Sequence, residues 1–169
     1  ETLPYAARVL GLGVIRINLF ATGLEFAVIP AKNRDKVQGI LSVLWPDDGK
    51  FQIRDRVMQI VMENTNPIIH PAVTLLNASR IQDTEGDFLF YHEGITDASA
   101  DLLKAVDDER IAIGREIGVD LLTEPEGSYS AGYVDADKIN YREGYKSKNF
   151  GITKAPSTLD HRYFNEDVG

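Results

Sequence analysis

The clearest helical signal in the chain is NTNPIIHPAVTLLNASRI, residues 64–81. Asn66 followed by Pro67 is typical of an N-cap and a first helical position, because proline lacks an N–H that the first turn leaves unpaired anyway. Apolar residues at helical spacing then predict a helix over 67–81. His70 falls in the first turn of this predicted helix, where the helix dipole disfavours an imidazolium unless an acid compensates.

The pattern and the charge of the chain both change near residue 63. Residues 1–62 carry a net charge of +2 and residues 63–169 carry −10. Apolar and alternating segments in the first part predict strands within 14–29 and at 51–53, with a helix at 34–44. The sequence therefore predicts an α/β unit that ends near residue 62 and is followed by a second structural unit.

Helical periodicity continues in the second unit. The pattern predicts helices at 97–117, with Asp97 as the cap and Gly118 as the stop, and at 136–145. Before the first of these helices, residues 88–94 are expected to form a strand or extended segment that ends in a turn. Between the two helices, residues 124–136 are expected to form a loop. The buried stripe of the helix at 97–117 is predicted to consist of Leu102, Val106, Ile113 and Ile117. The second unit is thus expected to be mainly helical.

Composition excludes several classes of protein. The chain has 169 residues, which is one domain or two small ones, and no cysteine, so thiolate chemistry and cysteine-ligated metals are ruled out. A net charge of −8 argues against nucleic acid or an anionic membrane as the main partner. The sequence contains neither a metal-ligand spacing nor an apolar run approaching the roughly 20 residues of a membrane span. We expect a cytoplasmic protein.

The residues of the chain give no recognisable nucleotide signature. Gly11-Leu12-Gly13 resembles the start of a dinucleotide loop, but such a loop needs a preceding strand and a third glycine that opens a helix. Arg16 stands at the third position and a strand follows it. We therefore interpret the two glycines as a turn, and we leave the cofactor-binding residues unassigned. We expect this chain by itself to bind neither NADH nor NADPH.

Several candidate residues have ordinary structural explanations on spacing alone. His70 could be a capping or packing histidine, and Arg162 with Asp167 could be a surface pair. The charged run Asp107–Arg110 reads as the solvated face of its helix.

Four motifs nevertheless resemble, in order and spacing, the opine dehydrogenase family, whose members include octopine and nopaline dehydrogenases. They are NTNPIIHPAVTLLN at 64–77, Phe90-Tyr91-x-Glu93-Gly94-x-Thr96, Asp107-x-Glu109-Arg110 and Arg162-Tyr163-x-x-Glu166-Asp167-Val168. The opening segment Thr2–Arg8 resembles a segment that the family carries late in its nucleotide-binding domain. The resemblance covers nearly the whole chain.

The resemblance implies an NAD- or NADP-dependent oxidoreductase that joins the amine of an amino acid to a 2-oxo acid and reduces the imine. It implies that residues 1–62 end a Rossmann-type domain. Residues 63–169 would begin a helical domain like the C-terminal domain of 6-phosphogluconate dehydrogenase, incomplete at its C-terminus. It also implies that His70 is the general acid/base, Asp167 its partner and Arg162 the residue that holds a substrate carboxylate. We expect His70 and Asp167 to lie within about 2.6–3.2 Å of each other.

Two alternatives to a catalytic opine dehydrogenase stay open. One is a non-catalytic binding domain that kept the fold, and the other is a related two-domain 2-hydroxy acid or ketopantoate-type reductase. The glycine-rich loop is missing and both ends look cut, so we expect a piece of a longer enzyme that is inactive alone. The particular amino acid and 2-oxo acid, the choice between NADH and NADPH, and a homodimer against a monomer are not determined by the sequence.

Overall fold

The structure is a computed structural model that describes residues 5–20, 23–44, 51–146 and 150–168. Strands come first and helices follow, as predicted. The part of the opening motif at residues 2–4 lies outside the described residues. The elements are β1 (Tyr5–Gly11), β2 (Val14–Phe20), β3 (Leu24–Phe26), α1 (Arg34–Leu44), β4 (Phe51–Ile53), α2 (Val57–Met62), α3 (Asn66–Leu76), α4 (Ala78–Thr84), α5 (Asp97–Glu116), α6 (Glu124–Ser130) and α7 (Arg162–Asn165).

The strands form two small sheets among the described residues. β1 and β2 pair antiparallel, with Gly11 opposite Val14, so that Leu12 and Gly13 make the turn of a hairpin. Gly13 adopts a positive φ of 72°, which glycine reaches without steric cost. The interpretation of these glycines as a turn is therefore confirmed, although β1 itself is not predicted. β3 and β4 pair in parallel, with Leu24 opposite Phe51.

The helix predicted over 67–81 is two helices in the structure. α3 begins at Asn66 and ends at Leu76, and α4 follows Asn77 directly. The expected cap is also wrong, because the Asn64 side chain, and not that of Asn66, accepts a hydrogen bond, from the Asn66 N–H at 3.2 Å. His70 consequently lies beyond the first turn, where the influence of the helix dipole has largely fallen off.

The long helix α5 matches its predicted bounds, but its buried side differs from the prediction. The Thr96 side chain caps it, with Asp97 as the first helical residue. At its end, Val119 N–H bonds to Gly114 O and Gly118 N–H to Arg115 O, the Schellman pattern that a left-handed Gly118 permits. The buried side consists of Ser99, Leu103, Asp107, Arg110 and Gly114, whereas Ile113 and Ile117 are exposed.

Two short predictions in the second half are wrong, and a third is right only in part. The segment expected as a loop contains α6, which begins with a capping box between Thr123 and Glu126. The helix expected at 136–145 is replaced by separate 3₁₀ turns at Ala136–Lys138 and Gly144–Lys146. Residues 88–94 end in a turn, as predicted, but the extended part is limited to one isolated bridge, Leu89 to Lys154.

The main core lies among the helices and the turn that follows α4. α3 packs against α5 and α7, and the apolar side chains between them are closed by aromatic rings. By contrast, Val9, Leu12 and Ile15 of the hairpin are more than half exposed. No described helix is long and apolar enough to cross a membrane. The cluster of buried core residues consists of Ile68, Ile69, Ala72, Val73, Phe90, Tyr91, Ile95, Leu103, Tyr145 and Tyr163.

Candidate active site around His70

His70 is buried and both of its ring nitrogens are hydrogen-bonded. Nδ1 lies 2.7 Å from Asp167 Oδ2, and Nε2 lies 2.8 Å from the hydroxyl of Tyr91. His70 is 8% exposed. The expected contact between His70 and Asp167 is therefore present, across 97 residues of sequence. Its catalytic significance stays a prediction.

The partners of the imidazole determine its tautomer. An ionised carboxylate only accepts hydrogen bonds, so Nδ1 carries the proton that it donates to Asp167. Nε2 then holds the lone pair of the neutral ring, and the Tyr91 hydroxyl donates to it. This is the arrangement in which a carboxylate fixes the tautomer of a histidine and leaves the other nitrogen to exchange protons.

The charge state of His70 reflects opposing influences. Burial lowers the pKa of His70 below its ordinary value, and the hydrogen bond and charge of Asp167 oppose that effect. The positive charges of Arg162 and His161 lower the pKa further. The ring is thus mainly neutral at neutral pH, and a carboxylate stands ready to stabilise the imidazolium when a proton arrives.

The turn at α7 brings Asp167 to the imidazole. His161 caps α7 by accepting a hydrogen bond from Tyr163 N–H at 3.3 Å. The Tyr163 ring stacks on the His70 ring with 4.0 Å between centroids and 17° between planes. Just past the helix, Asp167 N–H bonds to Arg162 O at 3.2 Å, which turns the carboxylate back toward α3. Packing of Tyr163 and the closing turn together explain why this contact forms.

A second turn presents Tyr91. The Glu93 carboxylate accepts from Leu89 N–H at 2.6 Å and from Arg80 at 2.7 Å, which closes the turn that contains Tyr91. A Cβ on Gly94 would lie 2.2 Å from Phe90 O, so only glycine fits there. Asn77 Nδ2, at the end of α3, donates to Gly94 O at 3.0 Å. These bonds tie the Phe90–Gly94 motif to the helix that carries His70.

Arg162 is near this pair but is not directed at it. Its side chain is 54% exposed and its Nε lies 3.6 Å from Glu166 Oε2, a loose surface contact. Its charge reaches His70 as described above, but the described residues show no hydrogen bond from Arg162 to His70 or Asp167. The side chain is free to swing toward a ligand at little cost, because surface ion pairs of this kind are weak.

A buried charge network, which the sequence analysis assigns to a solvated face, lies elsewhere on α5. Arg110 Nε donates to Asp107 Oδ1 at 2.7 Å, and its other nitrogens donate to Met62 O at 2.8 Å and Leu122 O at 2.5 Å. Asp107 also accepts from Glu124 N–H and from the Tyr141 hydroxyl, each at 2.7 Å. The prediction of a solvated face is wrong at Asp107, which is 0% exposed, and at Arg110, which is 9% exposed.

Next to this network lies a buried carboxyl group, that of Glu124. Burial raises its pKa, although hydrogen bonds oppose the effect. Ser128 donates to Glu124 Oε1 at 2.5 Å. Neither Glu124 Oε2 nor the fully buried hydroxyl of Tyr145 completes a hydrogen bond of ordinary geometry with the described residues. Burial therefore favours the neutral form of Glu124 more than it would for an exposed carboxyl group.

A cavity of about 290 Å³ separates β3 and β4 from the helices, and His70, Arg162 and Asp167 are not among its lining residues. Glu25 and Glu63 line it, and burial, together with the hydrogen bond and charge of Glu25, raises the pKa of Glu63 to about 7. Arg54 pairs with Glu25 and holds it ionised. The remaining lining residues are Gly23, Gln52, Asn64, Thr65, Asn66, Arg110, Leu122, Thr123, Gly127, Ser128, Ser130, Ala131 and Tyr133.

The two glycines of the first hairpin do not form a dinucleotide loop, and the described residues hold no cluster of metal ligands. Gly11 and Gly13 belong to a hairpin turn, whereas a dinucleotide loop leads from a strand into a helix. No group of three His, Asp or Glu side chains within the described ranges could hold a metal ion.

Comparison with known proteins identifies the family. Residues 53–169 match the alpha-helical domain of the NAD/NADP octopine/nopaline dehydrogenases, and the chain belongs to this family. It is 30% identical over 171 residues to Protein ocs of Agrobacterium vitis, covering 99% of this chain and 45% of that protein. It is 30% identical over 157 residues to an opine dehydrogenase of Arthrobacter sp. strain 1C, covering 92% of this chain and 42% of that protein.

A further relative is less similar in sequence. Vitopine synthase of Allorhizobium ampelinum is 24% identical over 168 residues. The chain spans about 45% of the length of the curated relatives that it matches over its full extent.

Proposed function

We propose that this chain carries the acid/base centre of an NAD(P)H-dependent opine dehydrogenase, which condenses an amino acid with a 2-oxo acid through an imine and reduces that imine. The observation that carries the proposal is the buried 2.7 Å contact between His70 Nδ1 and Asp167. Membership of the family supports it. The hydride donor would be NADH or NADPH, and we assign no step involving it to the residues of this chain.

The chemistry requires a group that both removes and supplies protons near neutral pH. An amino acid reacts as a free amine, so a neutral His70 would take a proton from its ammonium group at Nε2, where the hydrogen bond from the Tyr91 hydroxyl would give way to the substrate. The resulting imidazolium is stabilised by Asp167 and would return the proton to the carbinolamine hydroxyl, which leaves as water. Histidine suits both steps because its two forms are close in free energy in this pH range.

Arg162 is proposed to hold a substrate carboxylate. Both substrates carry one, and a guanidinium can grip a carboxylate through two parallel hydrogen bonds. Its exposure and its loose contact with Glu166 leave the guanidinium available for that role. Arg162 is the one charged residue of α7, which consists of Arg162–Asn165.

We further propose that residues 1–62 end a Rossmann-type domain and that residues 63–169 begin a helical domain like that of 6-phosphogluconate dehydrogenase. The succession of short strands and then helices supports this division, as does a family match that begins at residue 53. The substrates would be small molecules, and cytoplasmic localisation stays a prediction.

The test is oxidation of NADH or NADPH by the complete polypeptide with a panel of amino acids and 2-oxo acids. His70→Ala is expected to lower kcat by roughly 10²–10⁴-fold, the usual range for loss of a general acid/base. Arg162→Ala is expected to raise the KM of a carboxylate substrate. His92→Ala is the matched control, because His92 is an exposed histidine next to Tyr91 in sequence.

Two results would contradict the proposal. A His70→Ala enzyme with full activity would remove the acid/base role. Reduction of a 2-oxo acid without any amine would instead place the protein among 2-hydroxy acid or ketopantoate-type reductases.

A further inference from the structure

The hydroxyl of Tyr91 is a polar group next to His70 that has no role in the proposed function. Its side chain is 7% exposed, yet its hydroxyl lies 2.8 Å from His70 Nε2. The sequence alone places Tyr91 in an apolar run, where an aromatic ring is usually only a packing element. A buried tyrosine hydroxyl needs a hydrogen-bond partner, and here that partner is the nitrogen that would exchange protons.

The hydroxyl satisfies both charge states of the imidazole. When His70 is neutral, the Tyr91 O–H donates to the lone pair on Nε2. When His70 is protonated, the bond reverses, and Nε2–H donates to the Tyr91 oxygen. Because a hydrogen bond to an ionised group is roughly twice as strong as a neutral one, the hydroxyl stabilises the imidazolium more than the neutral ring.

The hydroxyl also limits how the ring can turn. A half-turn of the imidazole would exchange its nitrogen and carbon atoms and would break both hydrogen bonds at once. Tyr163 covers one face of the ring, while Phe90 and Tyr91 approach with centroids 6.3 Å and 6.2 Å away. Asp167 and Tyr91 therefore hold the two nitrogens from different parts of the chain, one from the turn after α7 and one from the turn before α5.

We propose that Tyr91 is a positioning residue that holds Nε2 of His70 in place and stabilises its protonated form, so that Asp167, His70 and Tyr91 act as one unit. The inference rests on the proposed role of His70 as the general acid/base. A substrate group that displaces the Tyr91 hydroxyl from Nε2 meets a nitrogen that is already aligned. The charged and titratable groups that face or influence His70 are Asp167, Arg162, His161 and Tyr163 from the C-terminal segment and Tyr91 from the opposite side.

The test compares Tyr91→Phe with Tyr145→Phe by ¹⁵N NMR of histidine-labelled protein. Both substitutions remove one hydroxyl from a buried tyrosine, and the two rings stack with centroids 5.7 Å apart, but only Tyr91 has its hydroxyl bonded to His70. Tyr91→Phe should move the Nε2 signal toward that of a nitrogen without a hydrogen-bond donor. It should also lower the titration midpoint of His70 by about half a pH unit to one pH unit. Tyr145→Phe should change neither.

The same variants separate positioning from general damage in the complete enzyme. Tyr91→Phe should move the acid limb of the kcat/KM profile to lower pH by the same amount as the NMR midpoint, with the thermal midpoint little changed. A profile that keeps its shape while activity falls uniformly would mean a merely structural role and would overturn the inference. An Nε2 signal and titration identical to those of the unmodified protein would overturn it as well.

An observation on the unmodified protein keeps the inference testable if Tyr91→Phe does not fold. The Tyr91 hydroxyl proton should exchange slowly and show scalar coupling to His70 Nε2 across the hydrogen bond. Absence of that coupling, with the His70 signal assigned from its loss in His70→Gln, would overturn the inference. Failure of the proposed function is recognised separately: His70→Ala would then stay active, whatever the NMR shows for Tyr91.

Discussion

Replacing Asp167 by asparagine isolates the charge that faces His70. The Asp167 and His70 side chains are 8% and 10% exposed, so water screens the contact only weakly. Asparagine has nearly the same shape and can turn its carbonyl oxygen toward Nδ1–H. The variant therefore keeps a neutral hydrogen bond to the neutral ring and loses only the stronger bond between a carboxylate and an imidazolium.

The size of the effect follows from that difference. A neutral hydrogen bond contributes about 1 kcal/mol and one to a charged group about 1.5–3 kcal/mol, so the imidazolium loses about 0.5–2 kcal/mol of stabilisation in the variant. Burial already lowers the pKa of His70 while Asp167 opposes it, so removal of the carboxylate lowers that pKa further. At high pH, where His70 is neutral in both proteins, the loss should be smaller, because only the bond from a neutral N–H to the carboxylate is replaced.

The pH dependence of stability follows from the difference between the pKa of His70 in the folded and in the unfolded chain. The pKa of His70 is lower in the folded protein than its unfolded value of about 6.5. Below that pH the unfolded chain binds more protons, so stability falls as the solution becomes more acidic. The fall ends near the folded pKa, which is lower in the variant, so the variant continues to lose stability after the unmodified protein has stopped. We expect an additional loss of about 0.5–2 kcal/mol in acid.

Urea unfolding followed by far-UV circular dichroism, at about pH 8 and at a series of pH values below the unfolded pKa of His70, measures this difference. Glu166→Gln is the matched control, because it also replaces a carboxylate by an amide, one residue away at a side chain that is 68% exposed. The reasoning would be refuted if the loss of stability for Asp167→Asn were the same at about pH 8 as throughout the acidic series, or if it were no larger in acid than that of Glu166→Gln.

Three further substitutions probe groups outside the His70 site. Arg110→Ala should cost about 3–5 kcal/mol in urea unfolding, because it leaves a buried carboxylate unpaired, while Lys104→Ala, from an exposed pair on the same helix, should cost less than about 0.5 kcal/mol. Glu124→Gln should raise stability at neutral pH by about 1 kcal/mol, because burial raises the pKa of Glu124 and ionisation above its unfolded pKa favours the unfolded chain; an unchanged urea midpoint would count against it. Since the pKa of Glu63 is raised to about 7, its contribution to stability is lost as the pH rises from about 4.5 to about 7, and Glu63→Gln should flatten the thermal midpoint over that range.

The helices that the sequence predicts well are those with local signals at both ends. α5 has a threonine cap at one end and a left-handed glycine at the other, and both signals can be read from adjacent residues. The helix predicted at 136–145 fails because Asn140 competes locally: its side chain accepts from Arg142 N–H at 3.0 Å and Glu143 N–H at 2.7 Å. Asparagine there ends regular structure, although the surrounding residues are tolerable in a helix.

The burial of Asp107 and Arg110 could not be predicted from hydrophobic periodicity, for a different reason. A run of Asp and Arg on a helix is ordinarily solvated, and only its partners can show otherwise. Those partners are carbonyl oxygens of Met62 and Leu122, which any residue type would provide. A sequence does not show which backbone carbonyl groups will accept a hydrogen bond from a side chain. The burial of Arg110 is therefore apparent only from the structure, in which the end of α2 and the residues just before α6 lie beside it.

The pairing of His70 with Asp167 shows the same limit at the candidate site. No local rule connects two residues that are 97 apart, and the resemblance to a family, not the periodicity, predicts their contact. In the structure the contact depends on Tyr163, which stacks on the imidazole and anchors α7 against α3. The sequence does give a signal for Tyr91, because a tyrosine in an apolar run is expected to be buried and its hydroxyl then needs a hydrogen-bond partner. What the sequence could not supply was the turn, closed by Glu93, that directs this hydroxyl at the second nitrogen of the same histidine.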